Sequence, residues 1–121
     1  MRILLVDDEP DILLVIGRWL QANGHNTITM MDPRGVLGLV ESQDFDLVCL
    51  DLMMPHINGL QLIPGIRQRK PKLPIVVMSA VGDTRIAVQA AKEGVEDYLL
   101  KPIEFNKLEA ILKRLAPNPE P

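Results

Sequence analysis

A doubly wound α/β fold, with five parallel strands and five helices, is what the 121-residue sequence predicts. Three observations carry that expectation. Four strand-sized apolar runs stand out, Ile3-Leu4-Leu5-Val6, Leu47-Val48-Cys49-Leu50, Ile75-Val76-Val77-Met78 and Tyr98-Leu99-Leu100. The first three are nearly unbroken, as strands covered on both faces are. Thr27-Ile28-Thr29-Met30 alternates polar and apolar instead, which suits an edge strand with one wetter face. Helical patterns separate these runs, so the order is β-α repeated five times, the signature of a parallel sheet with helices on both faces.

The helices follow from spacing and punctuation. Ile12, Val15, Ile16, Trp19 and Leu20 recur at helical intervals, with Pro10 near the first turn and Gly24 as the stop. Trp19 on that helix reads as core. Asp32-Pro33 predicts an N-cap and a first-turn proline for a second helix ending near Glu41. A third begins between Asn58 and Ile63 and runs to about Arg69. Pro64-Gly65 falls inside it, so either the helix starts late, with Pro64 in its first turn, or it is kinked. Asp83 or Thr84 caps a fourth helix that Gly94 ends and that buries mainly Ala87, Ala90 and Ala91. Phe105, Leu108, Ile111, Leu112 and Leu115 mark the fifth. The tail from Ala116 to Pro121 is proline-rich: a frayed terminus or the start of a stiff linker, with the proline spacing favouring the linker.

Composition narrows the function classes. Hydrophobic residues make up 47% and charged residues 24%, the balance of a soluble globular domain. A net charge of -3 argues against direct nucleic acid binding, which needs clustered Lys and Arg. No apolar stretch has membrane-spanning length and none reads as a signal peptide, so a cytoplasmic location is expected. The single cysteine, Cys49, lies in an apolar run and reads as buried and inert. His25 and His56 form no ligand-like pair.

Right-handed crossovers put every strand's carboxyl end on one edge of the sheet, where open α/β sheets bind ligands. The residues delivered there are Asp7 and Asp8, Asp51, Ser79 and Lys101. Three clustered carboxylates repel one another unless a cation neutralises them, and a small oxygen donor set suits Mg²⁺. With the metal, Asp51 becomes an acceptor for a phosphoryl group, Lys101 a point charge for its oxygens, and the Ser79 hydroxyl a hydrogen-bond donor. Taken singly, each has a plainer reading: a helix-capping Asp pair, a loop aspartate, an ordinary serine, a solvated lysine. Their convergence carries the case.

The segments Leu5-Val6-Asp7-Asp8-Glu9-Pro10, Asp51-Leu52-Met53-Met54-Pro55 with Asn58-Gly59, Val77-Met78-Ser79-Ala80 and Asp97-Tyr98-Leu99-Leu100-Lys101-Pro102 together resemble the receiver domains of two-component response regulators. The resemblance implies a flavodoxin-like, chemotaxis-regulator-like sheet in the order 2-1-3-4-5, with the domain spanning residues 1–115 and the linker 116–121. It implies that Asp51 is phosphorylated by a histidine kinase, a phosphotransfer protein or a small phosphodonor. Mg²⁺ would be held by the Asp8 and Asp51 side chains and the Met53 carbonyl, with Asp7 assisting through water. The Lys101-Pro102 bond would be cis. Ser79 and Tyr98 would form the switch, acting on the face of the fourth helix, fifth strand and fifth helix. Without the resemblance, Tyr98 reads equally well as a plain edge-strand aromatic. The partner of that face would be an output domain in the same chain, a separate target, or a second copy, since family members often dimerise there. Met53 and Val81, which the family places beside the phosphoryl group, are apolar and cannot orient a water, which predicts slow self-dephosphorylation.

Three other classes share parts of this pattern. A haloacid-dehalogenase-like phosphatase needs a second Asp two positions after the nucleophile, where this chain has Met53. A flavodoxin-like FMN carrier needs a hydroxyl- and glycine-rich loop where this chain has Asp7-Asp8-Glu9. A pseudo-receiver that binds partners without phosphorylation remains open, although intact Asp51 and Lys101 speak against it.

Overall fold

Every apolar run singled out above is a strand, and the strands form one parallel sheet. In the computed structural model the described residues are 1–54, 57–80 and 84–116. In chain order they give β1 (Arg2–Val6), α1 (Pro10–Ala22), β2 (Asn26–Met30), a 3-10 turn (Pro33–Gly35), α2 (Val36–Ser42) and β3 (Leu47–Asp51). A short antiparallel pair, Met53–Met54 with Ile57–Asn58, and a second 3-10 turn, Gly59–Gln61, then lead into α3 (Leu62–Arg69). The chain continues through β4 (Ile75–Ala80), α4 (Thr84–Lys92), β5 (Asp97–Lys101) and α5 (Phe105–Leu115). The sheet order is β2-β1-β3-β4-β5 with every neighbouring pair parallel, which is the doubly wound, flavodoxin-like arrangement. The reversal of strand order therefore falls between β1 and β3.

Alternation along the strands feeds two cores. Leu4, Val6, Val48, Leu50 and Val77 face Val36, Val40, Ile63, Ile66 and Ala90 from α2, α3 and α4. Ile3, Leu5, Cys49, Val76, Met78 and Leu99 face Leu13, Ile16, Leu20, Leu108 and Ile111 from α1 and α5. Each fully buried aliphatic side chain contributes about 1.5–3 kcal/mol, so the five strands are held from both sides. Cys49 is 1% exposed and burial pushes its thiol up to about 12, which keeps it inert. Trp19 is half-buried and stacks on Phe105 at a centroid distance of 5.2 Å, joining α1 to the first turn of α5. As expected, the alternating run forms an edge strand, β2.

Pro64 lies in the first turn of α3, so the helix starts late and needs no kink. The preceding 3-10 turn is set by the Asn58 side chain, whose Oδ1 accepts the Leu60 N–H at 2.9 Å. Gly65 has a packing reason, because a Cβ there would lie 2.9 Å from Leu37 Cδ2 of α2. Asp32 does cap its segment, accepting the Arg34 N–H at 3.0 Å, but the first turn is 3-10 and the α-helix begins at Val36. The expectation for α4 needs correction. Ala90 is fully buried, but Ala91 is exposed, and Ile86 packs against the core in its stead. The Ala87 side chain, and Asp83, Val81, His56 and the tail beyond Ala116, lie outside the described residues.

Gly24 and Gly94, at the ends of α1 and α4, have φ of 86° and 78°, conformations that a side chain would strain. Two arginines grip the connection from α4 to β5. Arg67 of α3 donates to the Gly94 carbonyl at 2.7 Å, and Arg114 of α5 donates to the Glu96 carbonyl at 3.3 Å and Asp97 Oδ2 at 3.0 Å.

Candidate functional site

Strand register decides what meets at the carboxyl edge. Asp51 is paired with Met78, Ser79 with Leu100, and Ala80 with Lys101, so β3, β4 and β5 end close together. Beyond β1, the Asp7 N–H donates to the Met30 carbonyl at 3.1 Å, extending the ladder by one residue. Asp7 Oδ1 then accepts the Glu9 N–H at 2.9 Å, an Asx-type turn that delivers the chain into α1. Asp51 makes the same turn, its Oδ1 accepting the Met53 N–H at 3.0 Å. In both cases the bonded oxygen is fixed and Oδ2 is left for the pocket.

The loop after Asp51 is held by backbone contacts that only glycine permits. Leu52 donates to the Met78 carbonyl and Gly59 to the Leu52 carbonyl, each at 3.0 Å. A Cβ on Gly59 would come within 2.8 Å of Leu52 Cα and would also meet the Asp51 carbonyl. The Asn58-Gly59 pair thus matters because the returning chain presses on the peptide of Asp51.

Asp7 and Asp51 are 0% and 2% exposed, and Asp8 is half-buried. One carboxylate oxygen from each lies within 4.8 Å of the others. The Lys101 ammonium sits among them, 2.7 Å from Asp7 Oδ2 and 3.2 Å from Asp51 Oδ2. Apart from that ion pair, Asp7 Oδ2 has no hydrogen-bond partner. Burial pushes Asp51 up to about 6, and the charge of Asp7 adds to it, against the Met53 N–H and Lys101, which act in the other direction. Burial alone would lower Lys101, but its contacts with Asp7 and Asp51 outweigh that and raise it. One lysine therefore offsets only part of the carboxylate charge, and the donor set of three clustered aspartate oxygens fits a hard divalent cation such as Mg²⁺.

Of the residues expected at the site, Asp7, Asp8, Asp51 and Lys101 are brought together. Ser79 is fully buried at the end of the adjoining strand, with its hydroxyl 3.4 Å from the Ala80 carbonyl. Met53 is 53% exposed beside Asp51. Tyr98 is half-buried on the α4 side of the sheet. The Lys101-Pro102 bond is cis, as the resemblance implied. Sequence reasoning missed one neighbour: Glu9 Oε2 lies 3.9 Å from the Lys101 ammonium. The signal was a third acid directly after the aspartate pair.

An α/β domain that gathers three aspartates and one lysine at the carboxyl edge of a parallel sheet, where strand order reverses, has them at the position where open α/β sheets bind ligands. The chain belongs to the response regulator receiver domain family, which residues 3–113 match. It is 33% identical over 124 residues to the transcriptional regulatory protein TcrA of Mycobacterium tuberculosis, covering 100% of this chain and 49% of the relative. It is 36% identical over 110 residues to the DNA-binding transcriptional regulator NtrC of Salmonella typhimurium, covering 91% of this chain and 24% of that protein. The chain thus spans half or less of these curated relatives. Among solved structures, TrrA of Thermotoga maritima in complex with Mg²⁺-BeF superposes with a TM-score of 0.84 at 32% identity, covering 95% of this chain and 98% of that one. The receiver domain of the Francisella response regulator 1452 gives 0.83 at 28% identity, covering 95% and 98%. No helix among the described residues is long and apolar enough to cross a membrane.

Proposed function

We propose that this receiver domain is a phospho-accepting switch in which Asp51 takes a phosphoryl group from a histidine kinase, a phosphotransfer protein or a small phosphodonor. The observation that carries the reading is the Lys101 ammonium held between buried Asp7 and Asp51, with Asp8 completing the oxygen cluster. Asp7, Asp8 and Asp51, with the Met53 carbonyl, are the groups that would hold Mg²⁺. When bound, the ion neutralises carboxylate charge and stabilises the charge on the transferring phosphoryl oxygens.

The chain's own groups do the rest. The Met53 N–H fixes Asp51 Oδ1, leaving Oδ2 as the attacking atom. Lys101, already beside Oδ2, balances charge on the acceptor and then pairs with the phosphoryl group. The Ser79 hydroxyl turns toward that group, and Tyr98, behind it on β5, follows inward, which alters the face of α4, β5 and α5. That face passes the signal to an output domain in the same chain, to a separate target, or to a second copy. Residues 1–115 form the switch. The domain works in the cytoplasm as a signalling element that catalyses only its own phosphorylation and dephosphorylation.

Incubation with Mg²⁺ and acetyl phosphate, read by intact mass, tests the acceptor. One added phosphoryl group is expected, and it should vanish in Asp51→Asn and in a chelated sample. No adduct in the unmodified domain would overturn the reading in favour of a pseudo-receiver. Met53, exposed and apolar beside Asp51, implies a long-lived phosphoryl group. Introducing Met53→Asn together with Val81→Glu should shorten the lifetime about tenfold or more by orienting a water. An unchanged decay rate would refute that role.

A further inference from the structure

We propose that Glu9 sets phosphodonor selectivity, its carboxylate repelling doubly charged small phosphodonors from the pocket of Asp51. The inference rests on Asp51 being the phospho-acceptor. Glu9 is the N-cap residue of α1 but makes no side-chain capping bond, so its carboxylate is not committed to the helix. That carboxylate is 59% exposed, and its Oε2 approaches the Lys101 ammonium at 3.9 Å, on the same nitrogen that contacts buried Asp7 and Asp51. Three carboxylates, Asp7, Asp51 and Glu9, therefore share one ammonium, and Asp8 adds a fourth negative charge beside Asp7 and Asp51. The three aspartates form the cluster suited to a divalent cation, whereas Glu9 stands at its exposed rim. A divalent ion leaves this set of groups with one surplus negative charge, and Glu9 supplies it.

Any donor must bring a phosphoryl group past that rim to Lys101. In the reaction an Asp51 carboxylate oxygen forms the new O–P bond. With acetyl phosphate the P–O bond breaks and acetate leaves as the anion. With phosphoramidate the P–N bond breaks and the already protonated nitrogen leaves as ammonia. Acetyl phosphate approaches as a dianion and phosphoramidate with one net negative charge, so the Glu9 charge penalises the first about twice as strongly. A single charge several ångströms away, in contact with solvent, changes a rate by about 2–5-fold. Because Glu9 is exposed, salt screens the effect.

The test is the second-order labelling rate of Asp51 with each donor, at saturating Mg²⁺, in the unmodified domain, Glu9→Gln and Glu9→Lys. Calorimetric Mg²⁺ affinities for all three establish saturation. Glu9→Gln is expected to raise the acetyl phosphate rate about 2–5-fold and the phosphoramidate rate less. Glu9→Lys should extend the trend, and the difference should shrink from about 0.05 M to about 0.5 M salt. An unchanged ratio between donors, or a ratio indifferent to salt, overturns the proposal. Failure of both donors to label the unmodified domain would instead overturn the assignment of Asp51, and this proposal with it.

Discussion

At the scale of single residues, Asp51 is held in a state that is costly without a metal. It is almost fully buried, beside Asp7, and its carboxyl is pushed up to about 6. A carboxyl whose folded pKa exceeds its unfolded value, about 4, binds more protons when folded. Its contribution to stability therefore falls as pH rises from about 4 to about 6 and stays lost above. The raised Lys101 has the same sign of pH dependence, but its contribution is lost only as pH rises through the ammonium's own pKa, outside this window. Asp51→Asn should accordingly stabilise the metal-free domain at pH 7 by about 1–2 kcal/mol, after allowance for water reaching the pocket past Asp8. Urea titrations at pH 4.5 and 7 check this. The gain should be smaller at pH 4.5, and it should shrink at pH 7 when Mg²⁺ is added. A gain independent of pH would refute the account. The acidic cluster was legible in the sequence because β-α alternation forces strand ends together. The contact of Glu9 with Lys101 was not, since an exposed side chain's direction depends on the turn that Asp7 builds.

At the scale of elements, backbone approach explains what propensity could not. Pro64-Gly65 looked like damage to a helix. Instead, the 3-10 turn at Gly59–Gln61 delays the start of α3, so the proline occupies a first turn, and the glycine admits Leu37 from α2. Neither reason is visible locally, because each needs a second segment of chain. In the same way, Asp32-Pro33 announced a helix start, but its first turn tightened to 3-10 geometry before α2. Two glycines make a contrasting pair. Gly59→Ala forces a Cβ into the peptide between Asp51 and Leu52 and should cost about 2–4 kcal/mol, with slower Asp51 labelling. Gly38, inside α2 with open space where a Cβ would stand, should gain about 0.5–1 kcal/mol as alanine with labelling unchanged. Thermal and urea unfolding of both variants decide the matter. Equal effects would show that close approach at residue 59 is not what constrains it.

At the scale of the whole molecule, the sheet divides the domain into two layers, with α1 and α5 on one side and α2, α3 and α4 on the other. The β-α alternation made this plan legible in the sequence, although the strand order came from resemblance, since spacing alone does not say which strands are neighbours. The burial of α4 was only half legible: its small residues include one sealed alanine, Ala90, and one facing water, Ala91. Phosphorylation should change amide exchange in α4, β5 and the exposed side of α5 while leaving β1 and β3 as protected as before. The arginine contacts to Gly94 and Glu96 should keep that connection the least altered part of the face. Exchange measured by mass spectrometry, with and without the phosphoryl group, checks it, and an unaltered α4-β5-α5 face would refute the proposed output surface. The single tryptophan has an optical consequence. Trp19 lies against Phe105 in the α1–α5 layer, with the sheet between it and Tyr98. Its emission therefore reports the loss of that seam when the domain melts, but rearrangements confined to the α4 layer leave the indole's surroundings untouched. A flat fluorescence trace on phosphorylation would mean that the change stops short of the first turn of α5, and a tryptophan placed in the α4 layer would then report the switch by light.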